Sequence, residues 1–193
     1  MSLPTEIQRQ LCLYYGLDGV PDVAAFIDAR PHVLRERVLV VEEGDGAEVR
    51  VELPAAALGP DPSLDLVCQV VEGVSHFVLI AERARCELPT THLELELQAE
   101  VDKFLLLGVL PEPLPALDRA RLRYRLFEAV RFSHEAGTES GDRYRLANRT
   151  ASLYVHRLER EFLHRARWRE LREQLRRFFR AGQTMKLELA RAA

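Results

Sequence analysis

The chain is poor in cysteine, almost devoid of lysine, and without a long apolar run. Its three cysteines, Cys12, Cys68 and Cys86, are odd in number and far apart. They offer neither a disulfide framework nor a C-x-x-C zinc pattern, so a reduced, cytoplasmic setting is expected. The longest apolar stretch, Phe104–Leu110, contains Gly108 and is too short to span a bilayer. The opening residues M-S-L-P-T-E-I-Q-R-Q lack the basic and then apolar segments of a secretory signal. Phosphate-loop, dinucleotide and serine-hydrolase motifs are missing, and His134-Glu135 begins an H-E-x-x-H pattern that has no second histidine. Lysine occurs only at Lys103 and Lys186, whereas arginine is abundant. That abundance weakens any single arginine as a clue.

What remains is the composition of an ordinary globular protein, with 193 residues, 47% hydrophobic and 30% charged. Charge is segregated. Residues 1–116 carry 8 Arg/Lys against 20 Asp/Glu, and residues 117–181 carry 17 against 9. The chain therefore reads as an acidic half, 1–110, with a β-hairpin and a helical hairpin, and a basic helical half, 111–193. The stiff V-L-P-E-P-L-P segment joins them into one compact unit.

The fold class expected is mainly α with a small β component, about five to seven helices and one hairpin near residues 36–53. R-E-R-V-L-V-V-E-E and A-E-V-R-V-E-L flank G-D-G, the signal for antiparallel strands around a tight turn. A lone hairpin is marginal, and the alternating tail T-M-K-L-E-L (184–189) supplies an expected third strand. Residues 5–30 read as one or two short helices. Asp61-Pro62 reads as the N-cap and first position of a helix running to Arg85. Thr91–Phe104 alternates like a strand, but Thr91-His-Leu-Glu94 is a capping box and Leu93, Leu97, Val101 and Phe104 form one helical stripe. A helix to Gly108 is expected. Another helix covers 116–136, and the stretch 142–180, free of Gly and Pro, reads as two helices broken near Arg165–Trp168.

Two constellations carry chemistry. On helix 62–86 the residues Asp65, Gln69, Glu72, His76 and Arg83 form a narrow polar stripe, expected to be a wetted face or a rim between helices. Glu72 and His76 stand four apart and so share a face. Folding 62–86 against 91–107 as an antiparallel hairpin sets His76 opposite Glu100, and Glu72 opposite Lys103 or Phe104. Two carboxylates and an imidazole are the ligand types of a divalent-metal site, or acid/base groups of a metal-dependent enzyme. The alternative is a set of helix-to-helix ion pairs. The second constellation is Arg165, Arg169, Arg172, Arg176 and Arg180, spaced to line one helix face as a strip for nucleic acid or another polyanion. Arg149…His156 and Arg157…His164 have an Arg-x(4–6)-His spacing that resembles the ribonuclease motif of HEPN helical bundles. So arginine-rich a chain supplies such matches by chance, and no activity is read from them.

The leading functional expectation is a non-catalytic, intracellular interaction or regulatory protein that binds another protein or a copy of itself. It rests on missing catalytic signatures and segregated charge. No cofactor is required, and a divalent metal at Glu72, His76 and Glu100 is the enzymatic alternative. Nucleic-acid binding through the arginine strip is the third reading.

Overall fold

A computed structural model describes residues 2–43, 46–110 and 112–192 of the chain. Among these residues the protein is mainly α, with seven α-helices and one three-stranded sheet near the N-terminus. The chain divides into two compact units, Met1–Leu13 with Leu17–Leu88, and Tyr14–Gly16 with Pro89–Ala193.

The first unit contains most of helix α1 (Leu3–Tyr15), strands β1 (Ile27–Arg30), β2 (Arg37–Glu43) and β3 (Gly46–Pro54), and helix α2 (Leu64–Arg85). Two side-chain bonds fasten the chain after α1. Gln8 donates to the Pro21 carbonyl at 2.6 Å and accepts from the Val23 amide at 2.8 Å. The hairpin forms as the sequence predicts, in an unbroken antiparallel register from Arg37↔Glu52 to Glu43↔Gly46. Turn residues 44 and 45 lie outside the described residues. The third strand is not the C-terminal tail. It is β1, parallel to β3 from Ile27↔Val51 to Arg30↔Pro54, so the order is β1-β3-β2. Segment 184–189 lies instead in helix α7 (Gln183–Arg191). The tail is rich in Met, Lys, Leu, Glu and Ala, all good helix formers, so its alternation has no bearing on a sheet.

One carboxylate ties the three strands. Glu52 on β3 is 4% exposed and meets Arg37 of β2 at 2.8 Å and Arg30 of β1 at 3.4 Å. Helix α2 covers β3. Its N-cap is Ser63, whose hydroxyl accepts from the Leu66 amide at 3.3 Å, rather than Asp61. The helix starts at Leu64, so the Ser63 hydroxyl is within reach of its first turn while Asp61 stays outside. Helix α2 has the length and apolar character of a membrane span, but 61% of its most apolar window is buried within the protein. Burial in a core accounts for its composition.

The second unit contains α3 (His92–Gly108), α4 (Ala116–Arg123), α5 (Glu139–Glu161), α6 (Trp168–Arg180) and α7. Helix α3 opens on the expected capping box. Thr91 Oγ1 accepts from the Glu94 amide at 3.2 Å, and Glu94 accepts from the Thr91 amide at 2.9 Å. Leu97, Val101, Phe104 and Leu105 of α3 are buried, and α3 packs chiefly against α5. The helix expected over 116–136 is shorter. It widens into one π-helical turn, Tyr124–Glu128, and stops at Ala129, whose amide donates to the Tyr124 carbonyl at 2.9 Å. Asn148 of α5 donates to the Leu126 carbonyl at 3.0 Å, so the widened turn is held by a side chain from outside it. The expected break in 142–180 occurs at 162–167, where Leu163–Arg165 form a 3-10 turn and Ala166 adopts φ +51°.

Gly73 marks the tightest approach of α2 to the sheet. A Cβ there would lie 3.1 Å from Val51 Cγ1 and 3.3 Å from Leu53 Cδ2, both on fully buried residues. Gly73→Val therefore overpacks the first unit and is expected to cost about 1–3 kcal/mol in urea unfolding. An unchanged midpoint would show that the helix and sheet can separate freely.

Candidate functional site

Glu72 and His76 lie on α2 in the first unit, and Glu100 lies on α3 in the second. The polar stripe of α2 is not wetted. Gln69, Glu72, His76 and Arg83 are all buried, and only Asp65 at its N-terminal end is exposed. Burying so many polar groups requires local partners. Gln69 illustrates how they are met, accepting from the Glu36 amide at 3.2 Å and donating to Asp65 at 2.8 Å. Glu72 and His76, one turn apart, offer a carboxylate and an imidazole on one face of α2, part of a divalent-metal ligand set. Glu100 has partners inside its own unit, Lys103 Nζ at 3.0 Å and Asn148 Nδ2 at 3.5 Å.

Arg169, Arg172, Arg176 and Arg180 lie on α6 at the spacing of one helix face, and Arg165 does not join them. Arg165 lies in the 3-10 turn before α6, separated from it by the left-handed Ala166 that redirects the chain. Arg169 is ion-paired to Glu173 at 3.1 Å, one turn on. Arg172 lies over the Tyr14 ring, 5.4 Å from its centroid, and Arg176 donates to the Tyr14 carbonyl at 2.9 Å. Arg176, Arg177 and Arg180 line an open groove with Glu173, Ala181 and Met185. A second arginine cluster, around a buried carboxylate, has no signature in the sequence. Glu159 of α5 is met by Arg123 at 3.0 Å and Arg119 at 3.6 Å.

The most closed polar cluster in the second unit is likewise absent from the sequence-based expectations. Tyr15, at the end of α1, donates to Asp102 Oδ1, and Gln98 Nε2 donates to both the Tyr15 hydroxyl (3.0 Å) and Asp102 (2.9 Å). Gln98 Oε1 accepts from Lys186 Nζ of α7 at 2.5 Å. Lys186 also donates to the Phe178 carbonyl at 2.9 Å and sits 4.4 Å from the centre of the Phe178 ring. Exposure is 1% at Tyr15 and Asp102 and zero at Gln98 and Lys186. Phe179 stacks on Tyr15 at 4.4 Å and closes one side. Burial, then the charge and hydrogen bond of Asp102, push the Tyr15 phenol well above its ordinary value. Burial likewise lifts Tyr14 to about 12, and raises Tyr154. Burial also raises the Cys12 thiol to about 11, so it is not a ready thiolate nucleophile.

Two signals for this cluster are present in the sequence. Gln98 and Asp102 are spaced i, i+4 on α3, and Lys186 is one of two lysines in an arginine-rich chain. Both lysines are buried, Lys186 completely. A slender ammonium fits a closed site that a guanidinium fork would not. The cluster is sealed from solvent and cross-links the end of α1 to α3, α6 and α7.

Comparison with known proteins gives no match to a protein-family model, to a curated protein or to a solved structure.

Two outcomes follow from the sealed cluster. Lys186→Met leaves Gln98 Oε1 and the Phe178 carbonyl without that donor, and is expected to cost about 1–3 kcal/mol in urea unfolding. Adding Gln98→Leu should cost less than the sum of the two single changes, as for groups in one network. The phenols give a pH dependence. The folded chain holds protons on Tyr14, Tyr15 and Tyr154 above pH 10, where an unfolded chain releases them. Their stabilisation is complete below about pH 10 and is lost as pH rises through the folded values. Ultraviolet titration should show these three tyrosines ionising only as the helical circular dichroism signal collapses.

Proposed function

We infer that this chain is a non-catalytic interaction protein that binds another polypeptide by adding a strand to the β2 edge of its sheet. The observation that carries the reading is β2. Strand order β1-β3-β2 leaves one side of β2 unpaired among the described residues. Three consecutive apolar residues on it are open to solvent, Leu39 at 38%, Val40 at 48% and Val41 at 50%. Their partner strand β3 runs into the core, where Val51 and Leu53 are fully buried.

Edge strands of soluble proteins are ordinarily protected by lysines, prolines, bulges or a covering element, because a free ladder templates pairing with other chains. Strand β2 has no lysine, proline or bulge within its length. Its register with β3 is continuous, and R-V-L-V-V-E-E keeps charge at the two ends only. Such an edge offers backbone hydrogen bonds for affinity and alternate side chains for selectivity. The sealed Tyr15–Asp102–Gln98–Lys186 cluster agrees with a scaffold role for the second unit. The arginines favour polyanion binding less, since Arg169, Arg172 and Arg176 are engaged within the protein.

The test is selection from a displayed library of unstructured peptides against the purified chain. Extended peptides with alternating apolar residues should be enriched. Their affinity should fall at least about tenfold for Leu39→Glu/Val41→Lys, a loss of roughly 1.4 kcal/mol. These side chains are exposed, so the variant should unfold within about 0.5 kcal/mol of the parent. No enriched peptide, or peptides that bind the variant equally well, would overturn the reading.

A further inference from the structure

We propose that the polypeptide taken up by β2 is the β2 strand of a second copy of this chain, paired antiparallel about a two-fold axis at Val40. The proposal rests on the strand-addition reading and names its partner.

The argument is self-complementarity. A two-fold axis perpendicular to a sheet reverses the strand while keeping its faces, so each residue meets one on the same face of the other copy. The register that pairs all of β2, Arg37–Glu43, with itself is centred on Val40. It sets Val40 against Val40, Leu39 against Val41 twice, and Val38 against position 42, a glutamate, twice. At each end it sets position 37, an arginine, opposite position 43, a glutamate. One face of the joined sheet thus carries four contiguous apolar positions, bracketed by positions of opposite charge. Arg37 is well placed for this, because its side chain stays 60% exposed while it meets Glu52.

Other registers do worse. Shifting by two residues toward the N-terminus sets position 37 against position 41, an arginine against a valine. It also brings positions 36 and 42 together, both glutamates, an unfavourable like-charge pair. Shifting the other way doubles the apolar-against-glutamate pairs, setting leucine 39 and valine 40 against the glutamates at 43 and 42. An unrelated strand would need no such match between the two ends of β2. The opposite charges at positions 37 and 43, on either side of an apolar centre, are what a second copy would use.

The neighbouring strand permits a sharp test. Leu39 lies opposite Arg50 and Val41 opposite Glu48 within the hairpin. Leu39→Glu and Val41→Lys therefore each gain a favourable neighbour in their own chain, and each fold can be checked by circular dichroism. Sedimentation equilibrium of the unaltered chain from micromolar to millimolar concentration should show a monomer–dimer equilibrium. Each variant alone should associate at least about tenfold more weakly, with a carboxylate or ammonium against an apolar partner. An equimolar mixture should recover association. The glutamate introduced at position 39 of one chain then faces the lysine introduced at position 41 of the other, while the native valine and leucine still meet.

A chain that stays monomeric throughout overturns the proposal, as does a dimer indifferent to either substitution. A mixture no stronger than its components overturns the register. Peptide selection separates the two levels. Peptides that require Leu39 and Val41, found with a monomeric chain, leave strand addition standing and remove only the second copy. Insensitivity of both measurements to β2 removes both.

Discussion

A lysine ammonium with no exposure to water must be surrounded by acceptors, and the second unit is arranged around that requirement. Lys186 reaches Gln98 on α3 and the Phe178 carbonyl on α6, and Gln98 passes the connection to Asp102 and Tyr15. Four segments of chain thus meet at one polar cluster: the end of α1, the middle of α3, the last turn of α6 and the body of α7. A buried charge contributes little to net stability compared with a well-packed apolar core, because desolvation offsets most of the attraction. What it does impose is a specific arrangement, since any shift of one helix end leaves a donor or acceptor unmet.

The first unit solves a different problem. Its sheet is small, and a three-stranded sheet needs a covered apolar face to be stable. Helix α2 supplies the cover and requires a glycine to do so, Gly73, where the backbone closes on Val51 and Leu53. Glu52 then joins all three strands through Arg30 and Arg37. These devices act on the central strand and the inner half of the hairpin. They leave Leu39, Val40 and Val41 of β2 exposed to solvent.

Local chemistry is legible in the sequence where it is self-contained. The hairpin, the Thr91–Glu94 capping box and the break between α5 and α6 each depend on neighbours a few residues apart, and each forms where the sequence places it. Features that depend on distant residues are not legible in the same way. Periodicity leaves open whether the polar stripe on α2 is wetted or a rim between helices, because it reports which residues share a face and not what lies over that face. Spacing alone adds Arg165 to the face of Arg169, Arg172, Arg176 and Arg180, because nothing in L-H-R-A-R-W announces a left-handed alanine at 166. The sealed cluster joins Tyr15 to Lys186, far apart along the chain. Spacing suggests Gln98 and Asp102 as a pair but never supplies their partners.

The two alternating stretches show where the boundary lies. Adjacent residues suffice to make Thr91–Phe104 a helix, because a reciprocal cap and a helical apolar stripe agree there and both are local. They suffice also for the antiparallel hairpin, through β-branched runs about a glycine-containing turn. They do not suffice for T-M-K-L-E-L, whose alternation suits a strand as well as its composition suits a helix. The folded chain makes it a helix, and that conformation delivers Lys186 to Gln98 and Phe178. Folding likewise selects Ile27–Arg30 to complete the sheet, since a parallel strand is specified by the partner it finds and not by its own four residues. Local bonds are written in adjacent residues; burial, and the partners that burial demands, exist only once the chain has closed.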